Sequence, residues 1–159
     1  MTSSFSESIL VACSPEALYD LVSDVTRTGE WSPICEACWW DEGDGPRVGA
    51  HFTVRNVTPA RTCETRSEVV AAEPGREFAW MVGDSIVRWS YLLEPAEGGT
   101  RLTETWELQP GAGDFFARKY GEQAEAVVAE RTEAARTGIP ATLAAIKTVA
   151  EREGRGTRG

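Results

Sequence analysis

The chain has 159 residues, enough for one domain with a real core, and its 42% hydrophobic content is ordinary for a globular protein. A formal net charge of −9 argues against nucleic acid and against stable association with anionic membranes, because both require a basic face. No apolar run approaches the length of a membrane span, and Met1 to Glu7 has neither the basic nor the apolar segment of an export signal, so a cytoplasmic location is expected.

Ser6 to Ala12 alternates Ile9 and Val11 with smaller residues, which predicts a short strand. Ser14-Pro15-Glu16 then reads as a helix start: Ser as N-cap, Pro in the first turn, an acid at the positive end of the dipole. Asp24 is placed to cap a second short helix ending near Gly29, and Pro33 disfavours helix at Ser32. Six strands follow, at Cys35–Trp40, His51–Thr58, Thr62–Ala72, Glu77–Val82, Ile86–Glu94 and Arg101–Leu108. Turn clusters separate them, among them Gly43-Asp44-Gly45-Pro46, Gly83-Asp84 and Gly98-Gly99, as in a meander of antiparallel hairpins. After Pro110-Gly111-Ala112-Gly113 the pattern turns helical, with Asp114 as N-cap. Glu122 to Glu153 carries an apolar series through Ile139, Leu143, Ile146 and Ala150, predicting one long C-terminal helix bent at Pro140. The domain is expected to span 1–153, with 154–159 as a flexible tail.

Side chains alternate across a strand, so parity assigns faces. One face collects Phe78 and Trp80, then Trp89 and Tyr91, then Glu104 and Trp106. The same phase brings in Cys38, Trp40, Phe52, Val54, Asn56, Cys63, Thr65 and Ser67. The aliphatics and Phe78 suit a core. Trp and Tyr carry an N–H or O–H that needs a partner, so several of them converging also suits a partly hydrated pocket. Glu104 is the sharpest case, because an inward carboxylate must be paired, protonated or wetted. Pairing with an inward base and a phase slip at a bulge both stay open, beside a role as general base. Glu7 and Glu36 are read as solvated rim positions.

Arg66, Arg88 and His51 fall on the outward parity, which leaves the strands' inner face short of fixed positive charge. Cys35 and Cys38 form a C-x-x-C, but a strand sends residues three apart to opposite faces, and His51 with the other cysteines offers no second chelating pair. No metal and no cofactor is expected. Nothing resembles a Ser-His-Asp or Cys-His arrangement or a phosphate-binding glycine loop.

The element order resembles the START/SRPBCC superfamily of helix-grip proteins, in its polyketide cyclase/dehydrase-type branch. The pieces that carry the resemblance are Ser14-Pro15-Glu16-Ala17-Leu18-Tyr19, Glu30-Trp31-Ser32-Pro33, Val48-Gly49-Ala50-His51-Phe52, Glu73-Pro74-Gly75-Arg76-Glu77-Phe78, Trp89 to Pro95, Gly98 to Trp106 and Thr142-Leu143 to Lys147. Pro140 and Cys63 depart from the pattern. The resemblance implies an α+β helix-grip fold: a curved seven-stranded antiparallel sheet around a long C-terminal helix, with two short helices after strand 1. It also implies a cavity for a small hydrophobic or aromatic ligand, and it leaves the reaction open, because a fold hosts function without naming it.

Two functions compete. A carrier or sequestering protein would hold a polyketide- or lipid-like ligand against Trp40, Phe52, Asn56, Cys63, Thr65, Trp80, Trp89, Tyr91, Glu104 and Trp106. A cyclase or aromatase would use Glu104 as general base and Tyr91 as a donor to an enolate or carbonyl oxygen. The carrier reading is preferred, since one acid–base group is visible where cyclisation–dehydration wants two with separated pKa values. A regulatory module with a vestigial pocket is the third reading, and a homodimer is left open.

Overall fold

A computed structural model describes residues 4–43, 45–83 and 86–156. Asp44 and Asp84 of the expected turns, and 157–159 of the expected tail, lie outside them. Strand β1 (Ser4–Val11) is followed by helix α1 (Pro15–Val22) and a 3-10 turn (Val25–Glu30). Strands β2 (Cys35–Trp40), β3 (His51–Val57), β4 (Thr62–Glu73), β5 (Glu77–Val82), β6 (Val87–Ala96) and β7 (Gly99–Leu108) then run consecutively. Helix α2 (Ala112–Tyr120) and helix α3 (Ala124–Gly156) complete the chain.

All neighbours in the sheet are antiparallel, in the order β1-β7-β6-β5-β4-β3-β2. The first two strands therefore sit at opposite edges, and α1 with the 3-10 turn carries the chain between them. Local chemistry fixes that crossing. The Ser14 hydroxyl accepts from Ala17 N–H at 3.1 Å, Pro15 occupies the first turn, and the Asp24 carboxylate accepts from Thr26 N–H at 3.1 Å. Leu18, Leu21 and Val22 are the buried face of α1, and the Tyr19 ring meets Phe78 edge-on.

Helix α3 buries Ala135, Ile139, Leu143, Ile146 and Ala150 along one stripe. It packs chiefly on β1 and β7, while α1 lies on β5, β6 and β7 and the 3-10 turn on β2. Its far end is tied down by polar contacts. The Lys147 ammonium donates to the Leu10 carbonyl at 2.8 Å, the Glu151 carboxylate accepts from Ala12 N–H at 2.9 Å, and Arg27 bridges Glu30 and Glu153. At the β6–β7 turn, Gly99 has φ +152°, and a Cβ there would collide with the Val11 carbonyl.

The C-terminal region differs from expectation in three ways. The helical segment is two helices, because α2 forms its own unit before a 3-10 turn at Gly121–Gln123. Asp114 lies inside the first turn of α2, where it faces the positive dipole end, and Gly111 is the N-cap. Helix α3 runs through Pro140 and continues to Gly156, past the expected boundary at 153, so the segment from 154 is not wholly a tail. No helix among the described residues is long and apolar enough to cross a membrane.

Candidate functional site

Cross-strand register builds the inner face. Trp40, Phe52, Ser67, Val82, Val87 and Leu108 form one row across the sheet; Trp80, Trp89, Trp106 and Phe5 form another; Phe78, Tyr91, Glu104 and Glu7 form a third. All ten sequence-selected residues share this face. Their rings touch in a chain. Trp40 meets Phe52 at 5.6 Å, Phe52 meets Trp80 at 6.0 Å, and Trp80 stacks on Trp89 at 6.3 Å with 8° between planes. Trp80 also lies 5.6 Å from both Phe78 and Tyr91. Such offset contacts hold aromatic walls rigid, at about 0.5–1.5 kcal/mol per pair beyond area burial.

Burial along this face is uneven, and helix placement explains why. Under α3 and α1, Leu102, Tyr91, Glu104 and Trp106 are buried. Toward β2–β6, where α3 makes little close backbone contact, Val54, Asn56, Cys63, Thr65, Trp80 and Trp89 are only half-buried. Solvent therefore reaches the concave face through a groove. The half-buried residues lie toward the end carrying the β3–β4 and β5–β6 turns, where β7 also ends and leads into α2. A separate cleft of about 390 Å³ lies at the opposite end, lined by Asp20, Ser23, Asp24, Thr26, Trp40, Gly45 and Pro46. It shares only Trp40 with the groove.

Glu104 lies at the buried edge of the groove, 4% exposed, with no hydrogen-bond partner for Oε1 among the described residues. Burial pushes its carboxyl up to about 8. The group is thus mostly the neutral acid at pH 7, with a minor ionised fraction that grows as pH rises. Both structural alternatives fall away. Glu104 keeps its register opposite Tyr91, and every basic residue of the strands (His51, Arg55, Arg66, Arg88 and Arg101) has the outward register. Four of these meet carboxylates outside: His51–Glu68 at 3.3 Å, Arg55–Glu64 at 2.9 Å, Arg66–Asp41 at 2.7 Å and Arg88–Glu77 at 3.2 Å.

Tyr91, directly across from Glu104, is also 4% exposed. Burial first, and then the proximity of Glu104, hold its hydroxyl well above its usual range, although the nearby Trp31 indole acts the other way. Trp31 is buried, and its indole N–H is a donor only. Sequence reasoning missed Trp31 as a site residue, because it sits in the C-cap of the 3-10 turn where no periodicity speaks. Ser67 has a second unpartnered buried oxygen on the same face.

Arg131 was missed too. Helical phase places it about 160° around α3 from Lys147, whose flank faces β1, and so on the flank turned toward the groove. It is half-buried and makes no ion pair among the described residues.

The cysteines require a correction. A bulge between Cys35 and Ala37 shifts the strand phase, so Cys35 pairs with Asn56 and Cys38 with Val54, both on the inner face and not on opposite ones. Burial raises both thiols, Cys38 to about 12, so they are protonated at neutral pH. No group of three or more His, Cys, Asp or Glu side chains is gathered for a metal among the described residues.

Comparison with known proteins agrees with this architecture. The sequence model of the polyketide cyclase/dehydrase and lipid transport family matches residues 2–151. The chain belongs to that family. It is 55% identical to a polyketide-cyclase-like protein of Corynebacterium glutamicum known from a solution NMR structure, with 96% of this chain and 94% of that one covered and a TM-score of 0.70. The fold is shared with the ZhuI aromatase/cyclase of Streptomyces sp. R1128, at 18% identity, TM-score 0.70 and coverage of 100% and 99%. It is shared also with about half of the di-domain aromatase/cyclase StfQ from the steffimycin biosynthetic pathway, at 17% identity and TM-score 0.73, with 97% of this chain and 52% of that one covered. Among curated proteins no sequence match is found.

Proposed function

We propose that this family member binds a small hydrophobic or aromatic molecule, polyketide- or lipid-like, in the groove over β3–β6, as a carrier or sequestering protein. The observation that carries the reading is the half-buried, mutually packed wall of Trp80 and Trp89 on a concave face that α3 meets chiefly at β1 and β7. Indole surface left partly wet gains about 25 cal/mol for each Å² a ligand removes from water. The aromatase/cyclase neighbours share the fold, which leaves catalysis by Glu104 and Tyr91 as the second reading. Against it, burial holds both Glu104 and Tyr91 mostly protonated at neutral pH, so the pair is chiefly two acids.

Binding of the neutral fluorescent probe N-phenyl-1-naphthylamine tests the location. Thr65→Trp fills the groove from β4 and should abolish binding while circular dichroism stays native; unchanged affinity would place the ligand elsewhere. Glu104→Gln separates the two functions. A carrier keeps its ligand affinity, whereas an enzyme loses turnover by orders of magnitude.

A further inference from the structure

The unsatisfied polar atoms at the buried edge of the groove describe the ligand more closely than the aromatic wall does. An apolar wall accepts any hydrophobe. A buried polar atom without a partner costs free energy in the free protein, and that cost is recovered only by a ligand with a matching group.

We infer that Glu104 and Tyr91 form a paired hydrogen-bond donor that reads an acceptor oxygen, a ketone or ether-type oxygen, on an uncharged aromatic or alicyclic ligand. This rests on the groove being the ligand site. The geometry stands on three observations. Tyr91 and Glu104 are directly opposed on neighbouring strands, so both side chains rise from one spot. The Glu104 Oε1 is buried and has no partner among the described residues. The Tyr91 hydroxyl lies beside the buried Trp31 indole, which has no acceptor atom to take its proton.

Glu104 also presents a proton, because burial holds it as the neutral acid. Two convergent donors select an acceptor. They disfavour a ligand whose polar end only donates. The strands offer an anion no fixed positive charge, since their basic residues all have the outward register, so Arg131 on the groove-facing flank of α3 is where an anionic group would be drawn, and the Glu104–Tyr91 pair is left to a neutral acceptor. A protonated amine is the competing possibility, because aromatic faces attract cations and the acid could ionise beside one. It would leave the Tyr91 proton directed at another donor, and for that reason the acceptor is favoured.

The test uses three ligands of one shape: 1-tetralone, which carries a ketone; tetralin, which lacks it; and 1-aminotetralin, which carries a cation. Each competes with N-phenyl-1-naphthylamine on the full-length protein. Tetralone should bind at least tenfold more tightly than tetralin and than the amine. Glu104→Leu should bring the tetralone-to-tetralin ratio to within twofold of one, while tetralin itself still binds. Glu104→Gln, which keeps a donor, should retain a preference, and it serves also if the Leu variant does not fold. Equal binding of tetralone and tetralin by the wild-type protein would overturn the inference and leave the groove reading standing. Preference for the amine would overturn it in favour of a cationic ligand. If none of the three competes and the probe itself does not bind, both readings fall together.

Discussion

The protonation of Glu104 has a consequence for stability that needs no ligand. Its carboxyl titrates near 8 in the folded protein, against an ordinary 4.5, with burial as the cause. The native state therefore keeps a proton that the unfolded chain releases. Stability is highest below pH 4.5, falls as pH rises, and levels off above 8. One group changes the unfolding free energy by about 1.4 kcal/mol per pH unit inside that window. Allowing for partial ionisation at the lower end, the loss between pH 5 and pH 7 is about 2–3 kcal/mol. Other groups titrate as well; on the same face Tyr91 and Glu7 lie opposite Glu104, and Glu7 is exposed. The comparison with Glu104→Gln removes their contribution, because Gln matches the shape and does not ionise. Urea unfolding of both proteins from pH 5 to pH 9 gives the difference directly. It should grow by roughly 2–3 kcal/mol in favour of the Gln variant from pH 5 to pH 7. A difference that stays flat across the range would show that Glu104 is solvated or paired, and would refute the reasoning.

Three further outcomes follow from single contacts. Tyr91→Phe removes the buried hydroxyl beside Trp31 and should cost about 1 kcal/mol by urea unfolding; an unchanged midpoint would mean that the hydroxyl has no protein partner. Gly99→Ala drives a Cβ into the Val11 carbonyl at positive φ and should lower stability by more than about 2 kcal/mol, whereas a neutral result would show that β1 can shift. Arg131→Glu should weaken the anionic probe 1-anilinonaphthalene-8-sulfonate by about fivefold and spare the neutral N-phenyl-1-naphthylamine, because only the former presents a charge to the groove-facing flank of α3. Equal effects on the two probes would place Arg131 away from the ligand.

Much of the fold was legible because the sheet obeys a period of two and its turns carry Gly or Pro. Each strand from β2 to β7 begins and ends within a few residues of its expected limits, and the inner face follows from parity at Phe52, Trp80, Trp89, Tyr91 and Trp106. Parity fails where the backbone gains a residue. The bulge at Cys35/Ala37 turns Cys35 inward, and a run without glycine or proline gives no warning of it. The division of the C-terminal region at Gly121 was hidden for another reason: Phe115, Phe116 and Tyr120 form a small aromatic cluster of their own, a tertiary event with no helical stripe behind it. The site was half legible. Position marked Glu104 and Tyr91, but their protonation depends on what buries them, and Trp31 and Arg131 belong to elements that a strand pattern does not describe.

The indole N–H resonances of the six tryptophans test the central claim most directly. Trp39, on the outer face beneath Arg55, serves as the internal control. Titration of the ¹⁵N-labelled protein with 1-tetralone should move Trp80, Trp89 and Trp106 most, Trp31 less, and Trp39 not at all. Shifts confined to Trp40, or shared equally by Trp39, would put the ligand in the Asp20–Asp24 cleft or on the surface, and would contradict a ligand groove on the concave face.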